Sequence, residues 1–304
     1  MRFLCLHGQG TSALIFKSQT GSHTPPPPRE ARNERGKKGP ADSDMWRTVA
    51  FRSKLDSRLY KFDFVDAPFD CAPAPGIQTL FKSSNYTWFP KPTVNAVRGA
   101  HRWLLDYIEE HGPYDAVCCF SQGCSVAASF LMYHYRETPD EPLPFHGAMF
   151  ICGGFPLPVL EDLGVYVSQE THDLNAKTAA LLHHKAGQLA KWAQEPGSIK
   201  PGVGLWNDTA DLVHDPNVMP DPRDVFGLDM TTFPSDIRIK IPTVHVYGAK
   251  DPRWPAGVQL AHMCENPVMW DHQGGHDIPR STDVSEKLAL LVRQLEGDIF
   301  DLPM

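Results

Sequence analysis

Short runs of apolar residues with strand spacing alternate with stretches of helical spacing along most of the chain. Arg2 to Leu6 is strand-like and ends in His7-Gly8-Gln9-Gly10. Tyr60 to Val65 alternates with period two, as a half-buried strand does. Val94, Val97, His101, Leu104, Leu105 and Ile108 share one helical face, and Gly112-Pro113 ends that helix. A short apolar strand follows at Ala116 to Phe120, then a second helix from Gln122 towards Tyr135. Apolar runs at Ala148 to Cys152, Thr243 to Tyr247 and Val268 to Trp270 read as strands, and a helix from Val284 to Leu295 closes the pattern. Strands alternating with helices predict an α/β fold: a mostly parallel central sheet with helices on both faces.

Two segments break this pattern. A helix begins at Ser12-Ala13-Leu14-Ile15-Phe16, but residues 21–48 carry Pro25 to Pro28 and then mixed charges, with almost nothing apolar. Such a stretch cannot bury enough surface to offset the entropy of ordering it, so it reads as a disordered insertion. With 21–48 closed up, Phe51 and Leu55 fall seven and eleven places after Phe16, the spacing of one helix face. The insertion therefore splits what would be one element, as a stretch translated from a retained intron would. Residues 156–235 form the second break: prolines are frequent, strands are absent, and one helix is expected at Thr178 to Ala193. That span is too long for an ordinary connection and reads as a lid or cap over the site. The remainder fits a single domain spanning 1–304.

Composition narrows the function classes. Hydrophobic residues make up 41% of 304 and charged residues 21%, enough for a sizeable core. The net charge of -7 supplies no basic face, so no nucleic-acid partner is expected. No apolar run approaches the ~18–20 residues of a membrane helix. Phe3-Leu4-Cys5-Leu6 is too short for the core of a signal peptide. Seven cysteines, an odd number with no C-x-x-C pair, fit reduced thiols in the cytoplasm. No phosphate-binding or dinucleotide motif occurs, and no cofactor is expected. His183 and His184 read as a solvated helix face, so no metal is expected either.

The chemistry concentrates at Cys119-Phe120-Ser121-Gln122-Gly123, where a buried strand turns directly into a helix. A nucleophile elbow needs this arrangement, because the tight turn lifts the serine hydroxyl above the sheet between small neighbours. Gly123 supplies one small position, and Cys119 stands where a first glycine is usual. A serine nucleophile needs a base, and the base an orienting acid, ordered Ser, Asp, His in this scaffold. Asp251 follows the strand Thr243 to Tyr247, and His276 follows the strand around Trp270. All three sit at C-terminal strand ends, where open α/β sheets build their sites. Asp271, His272 and Asp277 are rivals; the two glycines before His276 favour it, by letting the chain turn back over the sheet. The backbone N–H of Gln122 and donors from the first loop, at Gln9 and Gly10, would form the oxyanion hole. Trp88 and Phe89 are candidates for walls of an acyl pocket, with core packing as the alternative.

Phe3-Leu4-Cys5-Leu6-His7-Gly8, Ala67-Pro68-Phe69, Phe120-Ser121-Gln122-Gly123, Pro242-Thr243-Val244-His245 with Asp251, and Gly274-Gly275-His276 together resemble the fungal family serine hydrolase (FSH) group of α/β hydrolases. The resemblance covers most of the chain except 21–48. It implies a Ser121–Asp251–His276 triad acting on small-molecule acyl esters or thioesters. It also implies a place beside fungal polyketide synthases, where an acyl-carrier domain would be the partner and the released acyl chain the product. Cys119 and the 21–48 segment depart from the group. A non-catalytic binding protein on the same scaffold, and a hydrolase of peptide or C–C bonds, are the alternative readings.

Overall fold

The computed structural model describes residues 1–21, 50–194 and 205–301; the insertion expected at 21–48 lies outside them apart from Gly21. Six strands form one sheet: β1 (Arg2–Leu6), β2 (Lys61–Val65), β5 (Ala116–Phe120), β6 (Gly147–Ile151), β7 (Thr243–Tyr247) and β8 (Pro267–Asp271). Their order is β2-β1-β5-β6-β7-β8, and every neighbouring pair is parallel. Two short strands, β3 (Phe69–Asp70) and β4 (Tyr86–Thr87), pair antiparallel inside the 66–92 loop.

Alternation along the strands divides the core in two. Leu4, Leu6, Val117 and Cys119 face one side of the sheet, and Phe3, Cys5, Ala116, Cys118 and Phe120 the other. On the first side pack α3 (Val94–His111), α4 (Gln122–Glu137) and α7 (Trp254–His262), through residues such as Leu104, Leu131 and Leu260. On the second pack α1 (Ala13–Thr20) and α8 (Thr282–Phe300), through Phe16, Leu288, Leu291 and Leu295. A parallel sheet sandwiched in this way, with β5 turning straight into α4, is the α/β-hydrolase fold.

The chain order along the sheet reverses between β1 and β5, so the loops after these strands diverge to opposite faces and leave a crevice. Ser121 stands at its rim. Across the 22–49 segment, a 3-10 turn at Phe51–Lys54 takes the place of the expected continuation of α1. Phe16 and Phe51 nevertheless share one core cluster.

The 156–235 excursion carries more helix than the sequence pattern shows. Besides a short α2 (Ile77–Leu80) in the earlier loop, there are α5 (Leu157–Asp162) and α6 (Gln169–Gln194), which begins nine residues before the expected Thr178. Ser168 starts α6 by accepting the N–H of Thr171 at 3.1 Å, an N-cap placed well ahead of the apolar positions. No helix among the described residues is long and apolar enough to cross a membrane.

Candidate active site

Ser121 has φ 52 and ψ -113, a strained conformation for a residue with a Cβ. Its amide donates to Ile151 O at 3.0 Å, which ties the turn to β6. Gly123 is glycine because of approach: a Cβ there would lie 2.2 Å from the carbonyl oxygen of Leu6 in β1. Cys119 is fully buried and its carbonyl accepts the Cys124 thiol at 3.3 Å, so the larger residue is accommodated inside the sheet.

Asp251 is completely buried in a turn after β7, closed by its own N–H to Gly248 O. Its Oδ1 accepts the backbone N–H of Arg253 at 2.7 Å, and its Oδ2 lies 2.7 Å from His276 Nδ1. His276 Nε2 lies 3.0 Å from Ser121 Oγ. A proton on Nδ1 facing the carboxylate leaves Nε2 to accept the serine hydroxyl, the tautomer a general base needs. Phe120 flanks the imidazole with ring centroids 5.3 Å apart.

The rival residues do other work. Asp271 Oδ1 accepts the N–H groups of Ala249 and Gln273, pinning the acid and base loops together. His272 Nδ1 accepts Gly274 N–H, and its Nε2 faces Cys152 Sγ at 3.9 Å. Burial pushes the His272 pKa down, against Asp277 and other nearby carboxylates. Asp277 accepts Gly275 N–H, and burial raises its pKa. The base loop also turns differently from the expectation: the left-handed residue is Gln273, with φ 62. Gly274 and Gly275 are needed for close contact instead, with His272 and Trp206 respectively.

The first loop separates into two roles. Gly8 abuts the elbow, since a Cβ would stand 3.1 Å from Ser121 Cβ. Gly10, expected as an oxyanion donor, spends its N–H on Tyr86 O at 3.0 Å and has φ 69 against Ala74. Its role is to shape the loop. The N–H groups of Gln9 and of Gln122, at the first position of α4, have no acceptor among the described residues. His7 is buried with its pKa lowered by desolvation; it donates from Nδ1 to Gly8 O and accepts Ala67 N–H at Nε2. This neutral imidazole fastens the Ala67-Pro68-Phe69 segment to the loop.

Trp88 and Phe89 are core residues and not pocket walls. Trp88 is fully buried with its indole N–H on His7 O at 2.8 Å, and Phe89 is 4% exposed. What reaches the elbow is the backbone of this segment. Gln122 Oε1 accepts Thr87 Oγ1 and Trp88 N–H, each at 3.0 Å, while its Nε2 donates to Phe89 O at 3.0 Å. Sequence reasoning missed this side-chain clamp; the one signal was a long amide following the nucleophile. His183 and His184 are exposed on α6, and all seven cysteines are free thiols. Among the described residues, one group could gather round a metal ion: Cys152, Asp251 and His276, two of which are already engaged with each other.

With that geometry in place, comparisons with known proteins agree on the class. The family model described as "Serine hydrolase (FSH1)" matches residues 45–288. Esterase FPY3 of Fusarium mangiferae is 25% identical over 92% of this chain and 89% of its own. Hydrolase FUB4 of Fusarium oxysporum f. sp. lycopersici is 28% identical over 96% of this chain and 97% of its own. Esterase alnB of Emericella nidulans is 26% identical over 93% and 92% respectively.

Proposed function

The chain belongs to the serine hydrolase (FSH1) family, and from that premise we propose that it cleaves acyl esters and thioesters through an acyl-enzyme on Ser121. The observation that carries this is the unbroken relay from Ser121 Oγ through His276 to Asp251, at 3.0 and 2.7 Å. Nε2 of His276 takes the serine proton as Oγ bonds to the acyl carbon. Asp251 stabilises the imidazolium and holds its orientation. The oxyanion of the tetrahedral intermediate is received by the N–H groups of Gln122 and Gln9, the former at a helix N-terminus whose dipole favours negative charge. His276 returns the proton to the leaving alkoxide or thiolate. Water, activated by the same histidine, then attacks the acyl carbon, and the acid leaves as Ser121 regains its proton.

The described parts of the 156–235 excursion cover the acyl group in this reading, because α6 leans on the acid loop through Thr178 and the turn at Trp206 lies against the base loop. Release of an acyl chain from a polyketide-synthase carrier domain is the physiological step we propose, supported by the resemblance in motifs. The free thiols fit a reducing cytoplasm. A panel of p-nitrophenyl acyl esters, acyl N-acetylcysteamine thioesters and peptides tests the substrate class. Turnover of esters and thioesters, absent in Ser121→Ala, is expected; turnover of peptides alone would replace this reading.

A further inference from the structure

The cap-like excursion meets the site through one face of α6 that is polar. Thr171, Thr178 and Lys185 recur every seven residues, so they lie on one side of the helix two turns apart, and each is at most 4% exposed. Each bonds to a different loop. Thr171 Oγ1 donates to Gly227 O at 3.1 Å, and Thr178 Oγ1 accepts Arg253 Nη1 at 2.8 Å. Lys185 Nζ donates to Asp208 O at 2.8 Å.

Two of these contacts run on to the candidate acid and base. Arg253, which also donates to Asn175 O from Nη1, gives its backbone N–H to Asp251 Oδ1. Burial lowers the Arg253 pKa and the Asp251 charge opposes that. Lys185 fixes the turn that carries Trp206, and the indole lies flat on Gly275. A Cβ at Gly275 would stand 1.9 Å from Trp206 Cδ2, 2.3 Å from Cε2 and 2.4 Å from Cε3. Gly275 is the residue before His276. A buried lysine and a partly buried arginine are costly ways to dock a helix, where an apolar stripe would serve stability alone.

Resting on the reading of Ser121 and His276 as nucleophile and base, we propose that Trp206 is a positioning residue for His276. The indole presses the Gly274–Gly275 turn so that the imidazole faces both Ser121 and Asp251, and Lys185 holds the indole in place. The Trp206 turn and the base loop then act as one unit.

A double-mutant cycle on the full-length chain tests this, with rates of p-nitrophenyl acetate hydrolysis and fluorophosphonate labelling. Gly275→Ala alone is expected to slow kcat and labelling by about tenfold or more, since displacements on the order of 1 Å carry such costs. Trp206→Ala does likewise through kcat more than KM, and Trp206→Phe retains most of the rate. Adding Gly275→Ala to Trp206→Ala costs little further, because the ring it would strike is gone. A readout independent of turnover is the downfield proton resonance of His276 Nδ1–H, expected in wild type and Trp206→Phe and lost or shifted in Trp206→Ala. Equal losses from Gly275→Ala in both backgrounds, or an unchanged resonance and labelling rate in Trp206→Ala, would overturn the proposal. If Gly275→Ala does not fold, the comparison of the two Trp206 variants decides. A wild type that is never labelled would instead count against the serine-hydrolase reading, while the resonance still reports positioning.

Discussion

The carbonyl oxygen of Leu6 occupies the space that a side chain at Gly123 would need, 2.2 Å from where a Cβ would sit. β1 thus passes directly under the elbow, and the same contact places the loop after β1 beside Ser121. Gly123→Ala must push β1 and α4 apart. We expect it to destabilise the fold by about 3 kcal/mol, as overpacked core sites do, and to lower activity in step. Urea denaturation measures the first; a variant with the wild-type midpoint would show that the strand can give way.

Gln122 offers a test of polar matching. Its amide accepts from Thr87 and Trp88 and donates to Phe89 O, so all three partners depend on which atom is oxygen. Gln122→Glu keeps the accepting oxygen but sets a second oxygen against the Phe89 carbonyl. Gln122→Met removes every partner and leaves the Trp88 N–H without its acceptor. Both should lose about 1–3 kcal/mol, with the elbow less well held and labelling of Ser121 slowed. Equal stability of Gln122→Met and wild type would mean that water replaces the side chain at no cost.

Two buried histidines away from the site set an acid limit on stability. His245 in β7 and His101 in α3 have pKa values lowered to about 3, chiefly by desolvation. In the unfolded chain they protonate near 6.5. Between those values the unfolded state binds more protons, so stability falls as pH drops below about 6.5. The slope is about 1.4 kcal/mol per pH unit for each histidine. His245→Gln should flatten the pH dependence of the urea midpoint between pH 6 and 4; an unchanged slope would place the acid limit elsewhere.

The residues flanking the 22–49 segment are tied by side-chain hydrogen bonds among the described residues. Arg52 donates to Lys17 O at 2.8 Å and to Thr20 Oγ1 at 2.9 Å, and Arg280 reaches Ser18 O and Gly21 O. Both guanidinium groups thereby satisfy carbonyls at the C-terminal end of α1. Replacing 22–49 by about four Gly/Ser residues should leave the unfolding midpoint and activity near wild type. Arg52→Ala should cost about 1–2 kcal/mol with or without the segment. A shortened chain that fails to fold would show that 22–49 belongs to the core.

The sheet was legible in the sequence because its strands are short apolar runs bounded by Gly and Pro, and α3 because its buried face repeats every three to four residues. α7 was not. From Trp254 to Ala261 every residue is buried, so no polar face marks the period, and Pro255 in its first turn looks like loop. The start of α6 was hidden for the opposite reason: its inward face is Thr171, Thr178 and Lys185, which hydropathy reads as surface. At the site, Ser121, Asp251 and His276 could be named from strand ends and motif order, and the structure brings the three together. Which backbone N–H groups are free could not be read, because Gly10 loses its own to Tyr86, a partner 76 residues away. The burial of Trp88 beneath His7 is equally a tertiary fact.

Intact-mass analysis of the full-length chain treated with a fluorophosphonate tests the central claim most directly. One adduct per chain, mapped to the peptide containing Ser121 and absent in Ser121→Ala and strongly slowed in His276→Ala, is the expected result. A folded wild-type chain that takes up no adduct, or one that is modified equally in Ser121→Ala, would contradict it.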